Sequence, residues 1–241
     1  MNYLTEQENF WAGSFGDDYI SRNESGALLY SKVAMWSQML KSANRITSIK
    51  ELGCNIGLNL KALHHLNPSY NLSGVEINEL AAHQAQTLDI GPITRGTITE
   101  PLEDERVDLT FTAGVLIHIN PERLPVVYQN LVSLSSRYVL VAEYYNPTPT
   151  EVNYRGHNER LFKRDFAGEL IDQFDLNLVD YGFWYRRDNI ASEFGDMTWF
   201  LLEKYLDNVR KIQPKHHKPE VSCSLTVRSW SRAGQARLVR H

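Results

Sequence analysis

The sequence predicts an α/β fold in which helices cover both faces of a mostly parallel sheet and an antiparallel hairpin ends the sheet. Short apolar strand segments alternate with segments of helical spacing, which is the pattern of βαβ units. The first strand runs through a glycine-containing turn directly into a helix. The last two strands are separated by only about ten residues, whereas a parallel crossover needs a dozen or more.

Length, composition and charge limit the classes of protein that fit. The 241 residues, 42% hydrophobic and 22% charged, suit one globular domain with additions. No apolar run approaches the ~20 residues of a membrane span, and residues 1–18 lack the features of a signal peptide. With two cysteines, Cys54 and Cys223, and no metal-ligand spacing, we expect a cytoplasmic protein with neither a metal nor a membrane partner.

The net charge of −4 is unevenly distributed along the chain. Residues 206–241 contain eight Lys or Arg and two Asp or Glu, so this basic tail carries +6 and leaves −10 on residues 1–205. An acidic body argues against nucleic acid as a partner. The tail shows no durable hydrophobic period, and we expect it to be flexible.

An aromatic and glycine-rich segment, Phe10–Tyr19, precedes a helix that we predict over Ser25–Ser42 from its hydrophobic spacing. Two interpretations of the aromatic segment remain open. It covers one edge of the sheet, or it forms a lid over a ligand. In the second case Arg22 is placed to bind a ligand carboxylate through two hydrogen bonds.

The first predicted strand, Ser48–Leu52, leads through the glycine turn into a helix over Leu58–Leu66. Glycine allows positive φ there, and the N–H groups at the helix start favour a ligand that carries negative charge. A dinucleotide turn, G-x-G-x-x-G, would require glycine at Leu58. The residues Glu51, Gly53, Asn55 and Gly57 fit instead the E/D-x-G-x-G-x-G turn of S-adenosyl-L-methionine (SAM) enzymes. Asparagine replaces the middle glycine and tolerates the left-handed conformation.

The second predicted strand, Asn71–Ile77, places Glu76 about 20 residues after this turn, where a carboxylate accepts hydrogen bonds from ribose hydroxyls. The alternative is a surface residue at a strand end. A helix over Asn78–Leu88 and a weak strand over Ile93–Ile98 follow. In many SAM enzymes an Asp near this point accepts the adenine amino group. Thr97 occupies the position here, so we expect weaker or backbone contacts to adenine.

A near-continuous apolar run, Val107–Ala113, predicts a central strand buried on both faces. Ala113, Gly114 and His118 lie at or after its carboxyl end, where ligands bind in open α/β sheets. If the ligand is SAM, we expect them to line the edge of the site at which its methyl group is transferred, although His118 could equally be a packed histidine. A helix over Pro121–Ser133, with proline in its first turn, follows.

The remaining segments are a strand over Arg137–Glu143, a polar insertion over Asn153–Arg160, a helix over Phe162–Gln173, and strands over Leu176–Arg186 and Met197–Lys204. The insertion is either a binding loop for a polyhydroxylated or anionic acceptor or a solvated surface loop. The final two strands should pair antiparallel, which distinguishes SAM methyltransferases from dinucleotide dehydrogenases.

Six blocks in this order resemble the pseudaminic-acid-biosynthesis-associated methylases: Phe10–Gly13, Glu51–Gly57, Gly114–Ile119, Glu143–Pro149, Asn153–His157 and Thr198–Leu202. The resemblance covers about residues 3–205. It implies a Rossmann-like class I SAM-dependent methyltransferase with a seven-stranded sheet and a link to surface-sugar biosynthesis. We therefore divide the chain into an N-terminal aromatic lid and helix (1–45), a SAM-binding domain (46–205) and the basic tail (206–241).

The predicted function is methyl transfer from SAM to an oxygen or nitrogen of a small-molecule or glycan acceptor, related to a sugar or nonulosonic (pseudaminic) acid. The oligomeric state stays open. Candidate general bases are His118, which we favour, and Glu143, Tyr144 and His157. The residues expected to contact the cofactor are Trp11, Arg22, Glu51, Gly53, Asn55, Gly57, Glu76, Ile77, Thr97, Ile98, Ala113, Gly114 and His118. Two alternatives are a SAM-binding regulatory module without turnover and a nicotinamide-dependent oxidoreductase.

Overall fold

The computed structural model describes residues 3–21, 26–189 and 195–205. Its helices are α1 (Glu6–Ala12), α2 (Ser14–Ile20), α3 (Gly26–Met39), α4 (Leu58–Leu66), α5 (Glu79–Gln86), α6 (Leu124–Leu134) and α7 (Phe166–Phe174). Its strands are β1 (Ser48–Leu52), β2 (Asn71–Glu76), β3 (Ile93–Arg95), β4 (Val107–Ala113), β5 (Ser135–Glu143), β6 (Thr150–Glu151), β7 (Phe162–Lys163), β8 (Leu176–Trp184) and β9 (Met197–Lys204). Two 3₁₀ turns, Leu116–His118 and Pro121–Arg123, separate β4 from α6.

Seven of these strands form one sheet in the order β3-β2-β1-β4-β5-β9-β8. The pairs from β3 to β5 are parallel, whereas β9 is antiparallel to both β5 and β8. Strand β1 lies between β2 and β4, so the order of the strands reverses at β1. Ligands of open α/β sheets bind at such a reversal, outside the carboxyl ends of the strands.

Helices pack on both faces of the sheet because the strand residues alternate between two apolar clusters. Trp36 and Met39 of α3 pack with Leu63 of α4 in one cluster. In the other cluster, Leu131 of α6 packs with Leu170 of α7. Neighbouring residues of β5 divide between the clusters, with Leu140 in the first and Val139 and Val141 in the second. The predicted fold class, including the antiparallel C-terminal pair, is therefore confirmed.

The N-terminal aromatic segment folds into two short helices. Thr5 and Glu8 form a capping box at the start of α1, in which each side chain accepts a hydrogen bond from the other residue's backbone N–H. Gly13 separates α1 from α2. Both helices precede the first strand, and residues of both line one wall of the cavity described below.

The predicted helix over Phe162–Gln173 is wrong at its start. Phe162–Lys163 is strand β7, which pairs with β6 in a small separate sheet. Helix α7 begins only at Phe166, because the Asp165 side chain accepts a hydrogen bond from the Gly168 N–H at 2.9 Å and so caps the helix. The expected flexible tail and Cys223 lie outside the described residues. Within the described ranges, no helix has the length and apolar character that crossing a membrane requires.

Candidate functional site

A cavity of about 430 Å³ lies at the carboxyl ends of β1, β2 and β4, where the strand order reverses. The glycine turn, the end of β2 and the residues after β4 line it, and the N-terminal helices contribute a further wall. Nearly all of the predicted cofactor-contacting residues line this cavity: Trp11, Glu51, Gly53, Asn55, Glu76, Ile77, Thr97, Ile98, Ala113, Gly114 and His118. Gly57 lies at the start of α4, one residue before Leu58 in the cavity wall. Arg22 lies outside the described residues.

The turn between β1 and α4 depends on left-handed backbone conformations. Gly53, Asn55 and Gly57 have φ of 84°, 47° and 76°, so Asn55 adopts the conformation that the sequence predicts for it. A Cβ on Gly53 would lie 2.8 Å from two methyl carbons of Val115, which leaves no room for a side chain. The Gly53 and Cys54 N–H groups both donate to the Val75 carbonyl, at 2.8 and 3.0 Å, and fix the turn against β2.

Glu76 connects the end of β2 to this turn. Its Oε2 accepts a hydrogen bond from the Asn55 N–H at 2.7 Å, and its Oε1 accepts one from the Asn78 N–H at 2.8 Å. Glu76 is only 7% exposed, and burial raises the pKa of its carboxyl although these backbone N–H groups oppose the shift. A carboxylate has about four acceptor sites, so capacity remains for a donor from a ligand. The placement in the cavity wall therefore fits the predicted ribose contact rather than a surface position.

A second polar group in the wall joins β1, α3 and α4. Asn59 donates to Glu51 Oε1 at 2.6 Å, and Asn59 Oδ1 accepts from Lys32 Nζ at 2.7 Å. Glu51 is 1% exposed, and its Oε2 has no hydrogen-bond partner among the described residues. Burial raises the pKa of Glu51 and lowers that of Lys32, and the attraction between the two charges opposes both shifts.

His118 lies in the cavity wall between two aromatic rings. Its ring centroid is 4.5 Å from that of Trp11 and 4.9 Å from that of Tyr154. Its Nδ1 lies 2.6 Å from the Arg160 carbonyl, which can only accept, so Nδ1 carries the hydrogen and Nε2 is an acceptor. Burial lowers the pKa of His118 to about 4 although the hydrogen bond to Arg160 opposes this, so the ring is neutral at neutral pH.

Two of the predicted general bases are not placed in the cavity. Glu143 is buried behind it, where Oε1 accepts hydrogen bonds from the Val115 and Leu116 N–H groups at 3.1 Å each. Burial raises the pKa of Glu143 to about 7 against these hydrogen bonds. His157 is exposed and packs against Phe10, with the ring centroids 5.1 Å apart. Of the four candidate bases, Tyr144 and His118 line the cavity, whereas Glu143 and His157 are not among its lining residues.

The N-terminal helices close one side of the cavity. Glu8 accepts hydrogen bonds from the hydroxyls of Thr97 and Thr99, and the Trp11 carbonyl accepts one from Asn78 at 3.3 Å. Burial raises the pKa of Glu8, but the two hydroxyls and two backbone N–H groups outweigh it and lower the pKa overall. Thr97 thus donates to a carboxylate of the same chain. These contacts agree with the lid interpretation of the aromatic segment.

Three polar cavity residues, Glu8, Lys32 and Asn59, were not predicted from the sequence, whereas Tyr154 and Arg155 belong to the insertion for which a binding loop was one of two interpretations. For Lys32 a signal was present, because it lies four residues after Leu28 and four before Trp36, on the apolar stripe of α3. A lysine on an otherwise apolar, buried stripe indicates a charged group that has a polar partner in the folded protein. Glu8 had no such signal, since its threonine partners are about 90 residues distant in sequence. Within the described residues no group of three or more His, Cys, Asp or Glu could hold a metal ion.

Comparison with known proteins agrees with this fold. No curated protein sequence matches the chain. Residues 50–132, about a third of the chain, match a family described as a methyltransferase domain. Magnesium protoporphyrin IX methyltransferase from Synechocystis PCC 6803, solved with bound S-adenosylhomocysteine, has a TM-score of 0.62 at 12% identity over 82% of this chain and 98% of that chain.

Two further solved structures are similar. The 1,6-didemethyltoxoflavin-N1-methyltransferase from Burkholderia thailandensis, bound to S-adenosylhomocysteine, has a TM-score of 0.62 at 12% identity, over 86% of this chain and 93% of that one. A S-adenosylmethionine-dependent methyltransferase from Clostridium acetobutylicum ATCC 824 has a TM-score of 0.57 at 12% identity, over 79% and 97%. The predicted cofactor agrees with these comparisons, and the predicted enzyme class is confirmed. Residues 50–132 match a methyltransferase domain, within a chain that has the class I SAM-dependent methyltransferase fold.

Proposed function

We propose that the protein transfers a methyl group from SAM to a small acceptor, related to a sugar or nonulosonic (pseudaminic) acid, in cytoplasmic biosynthesis of surface glycans. The observation that carries this proposal is the hydrogen bond from the Asn55 N–H to Glu76 Oε2 at 2.7 Å. It joins the left-handed glycine turn to the acid of β2 in one wall of the cavity. A turn that binds the methionyl part and an acid that binds the ribose are thereby held in a fixed relation.

The residues present fit an adenosyl sulfonium amino acid. Glu76 offers acceptor lone pairs to a ribose diol, and Ile77 and Ile98 supply apolar contacts for a purine. Glu51 Oε2 lacks a donor from the described protein, which suits a ligand that brings one. When bound, SAM supplies a methyl group on a sulfonium that is a good leaving group. The protein therefore mainly aligns the acceptor and excludes water.

The part of the cavity proposed to hold the methyl acceptor combines a nitrogen that accepts hydrogen bonds, two phenol groups and a cation. His118 offers Nε2 as a hydrogen-bond acceptor, and Tyr144, Tyr154 and Arg155 line the same cavity. A pKa of about 4 makes His118 a weak base, so it orients an acceptor hydroxyl more effectively than it removes the proton. Arg155 suits an acceptor that carries a carboxylate, as a nonulosonic acid does.

The acceptor assignment depends on the resemblance in sequence and on these side chains, because the fold does not determine it. The solved structures of similar fold include enzymes named for a magnesium protoporphyrin and for a toxoflavin precursor. Such a range is expected, since one fold hosts many substrates. The acidic body of the chain supports a small acceptor rather than nucleic acid.

Two measurements test the proposal. Isothermal titration with S-adenosylhomocysteine and with NAD should give binding of the first only. Glu76→Ala should weaken this binding at least tenfold, whereas Glu103→Ala, which removes an exposed carboxylate outside the cavity, should leave it unchanged. Unchanged affinity in Glu76→Ala would refute the ribose assignment, and binding of NAD alone would indicate an oxidoreductase.

The second measurement follows methyl transfer from labelled SAM to free nonulosonic acids, their nucleotide forms and flagellin-type glycoproteins. Label on one member of this panel, absent without enzyme, is the expected result. Tight S-adenosylhomocysteine binding without transfer to any member would contradict the proposed acceptor class and favour a regulatory module.

A further inference from the structure

Glu143, at the end of β5, accepts hydrogen bonds from three consecutive backbone N–H groups. Its Oε1 lies 3.1 Å from the nitrogens of both Val115 and Leu116, and its Oε2 lies 3.4 Å from the Ile117 nitrogen. The residue is 3% exposed and is not among those that line the cavity. Three neighbouring N–H groups that donate to one carboxylate leave little freedom to the backbone that carries them.

The segment that Glu143 holds connects two parts of the cavity. Val115 contacts the glycine turn, because two of its methyl carbons would lie 2.8 Å from a Cβ on Gly53. His118 ends the 3₁₀ turn that follows, and its N–H donates to the Val115 carbonyl at 2.9 Å. The segment therefore extends from the part of the cavity proposed to hold the cofactor to His118, in the part proposed to hold the methyl acceptor.

The two ends of this segment depend on Glu143 to different degrees. The glycine turn has hydrogen bonds of its own, because the Gly53 and Cys54 N–H groups donate to the Val75 carbonyl at 2.8 and 3.0 Å. The backbone of His118 instead continues from the three N–H groups that donate to Glu143. Loss of the carboxylate should therefore disturb His118 more than it disturbs the glycine turn.

We propose that Glu143 is a positioning residue, which holds the backbone of residues 115–117 so that His118 Nε2 faces the bound methyl acceptor. This inference rests on the proposed function, since that function assigns His118 to the acceptor. Glu143 itself contacts neither the cofactor nor the acceptor and acts through the backbone. The property that matters is acceptance of hydrogen bonds, which a neutral amide oxygen also provides. Glu143→Gln is therefore the conservative variant.

The test follows the ring of His118 by NMR as the pH is changed in the absence of ligand. Burial lowers the pKa of the wild-type ring to about 4, so its signal, identified as the one that His118→Gln lacks, should stay constant from pH 8 to about pH 5. In Glu143→Ala the released turn should admit water to the ring and raise its pKa by at least about one unit. In Glu143→Gln the pKa should stay close to the wild-type value.

The direction of this shift separates positioning from a direct effect of charge. Loss of a nearby negative charge alone would lower the pKa of His118, because an anion favours the protonated ring. Release of the turn raises the pKa instead, because burial is what lowers it.

Asp108→Ala is the matched control. Asp108 accepts hydrogen bonds from the Thr47 hydroxyl and from the Thr47 and Ser48 N–H groups, so this variant also removes one acceptor from three donors. These donors lie at the amino ends of the strands, opposite the cavity. Asp108→Ala should therefore leave the pKa of His118 unchanged even where it lowers the free energy of unfolding.

Isothermal titration with S-adenosylhomocysteine separates this inference from the proposed function. Wild-type protein and Glu143→Ala should bind it with Kd values within about threefold of each other, since the glycine turn keeps its own hydrogen bonds. A loss of more than about tenfold would show that Glu143 acts through the cofactor site and would overturn the proposed role. Absence of binding by wild-type protein would overturn the proposed function, and with it the assignment of His118 to a methyl acceptor.

The NMR titration has its own contrary results. An unchanged or lowered pKa of His118 in Glu143→Ala, or an equal rise in Glu143→Gln or Asp108→Ala, would overturn the positioning role while S-adenosylhomocysteine binding still supported the proposed function. If far-UV circular dichroism shows that Glu143→Ala is unfolded, Glu143→Met, which fills similar space without an acceptor, is measured in its place with the same expected rise. Unfolding of both variants would overturn the role, because Glu143 would then be required for the fold as a whole.

Discussion

Replacing Gly53 by alanine should destabilise the protein through two separate effects. The left-handed backbone at φ 84° costs a non-glycine residue about 1–2 kcal/mol. The new Cβ would also lie 2.8 Å from both methyl carbons of Val115, and such overpacking typically costs about 1–3 kcal/mol. Gly53→Ala should therefore lower the free energy of unfolding by roughly 2–5 kcal/mol, measured by urea unfolding without ligand.

Gly114 offers a matched control for this prediction. It has a similar φ of 71°, but the nearest atom to an added Cβ is the Met197 methyl carbon at 4.0 Å. Gly114→Ala should therefore lose only the backbone contribution of about 1–2 kcal/mol. In the double variant Gly53→Ala, Val115→Ala the overpacking contribution should disappear, which a double-mutant cycle measures. Equal losses in Gly53→Ala and Gly114→Ala, or no coupling to Val115, would refute this reasoning.

Three further predictions concern buried titratable groups. The folded protein lowers the pKa of His118 from 6.5 to about 4, so its contribution to stability is present above pH 6.5 and is lost as the pH falls toward 4, by roughly 3 kcal/mol at most. Urea unfolding measured from pH 7 to 4 should show that the free energy of unfolding falls less steeply with pH in His118→Gln than in wild-type protein. An equal dependence on pH in the two proteins would contradict this. Glu143→Ala should cost about 1–3 kcal/mol and speed hydrogen exchange of the 115–117 amides, because three backbone N–H groups lose their acceptor; exchange as slow as in wild-type protein would count against this. Glu8→Gln should also lower the free energy of unfolding in urea by about 1–3 kcal/mol, because an amide N–H₂ replaces one carboxylate oxygen and leaves its hydrogen-bond donors without an acceptor. Wild-type stability would show that these hydrogen bonds do not hold α1 in place.

The parts of the site that the sequence predicts correctly are those set by local geometry. The order of strand, glycine turn and helix determines the backbone of residues 53–57. Asn55 takes the left-handed conformation there, which asparagine tolerates better than other non-glycine residues. The position of Glu76 follows from the length of one βαβ unit, because β2 must pair with β1 in parallel. The antiparallel end of the sheet follows from a connection too short for a crossover.

The parts that the sequence does not predict depend on contacts between distant segments. His157 and Glu143 have suitable chemistry, yet one packs outside against Phe10 and the other faces the backbone of residues 115–117. Spacing along a strand or loop does not reveal which neighbours fill the space at its end. Glu8 enters the site because its carboxylate, on α1, accepts hydrogen bonds from the hydroxyls of Thr97 and Thr99, which are about 90 residues distant in sequence. Such placements require the tertiary structure.

The most direct test of the whole account is a crystal structure with S-adenosylhomocysteine. The account predicts the ligand in the crevice between the carboxyl ends of β1 and β4, with its ribose hydroxyls within hydrogen-bond distance of Glu76. A ligand bound elsewhere, or a ribose that does not contact Glu76, would contradict the account.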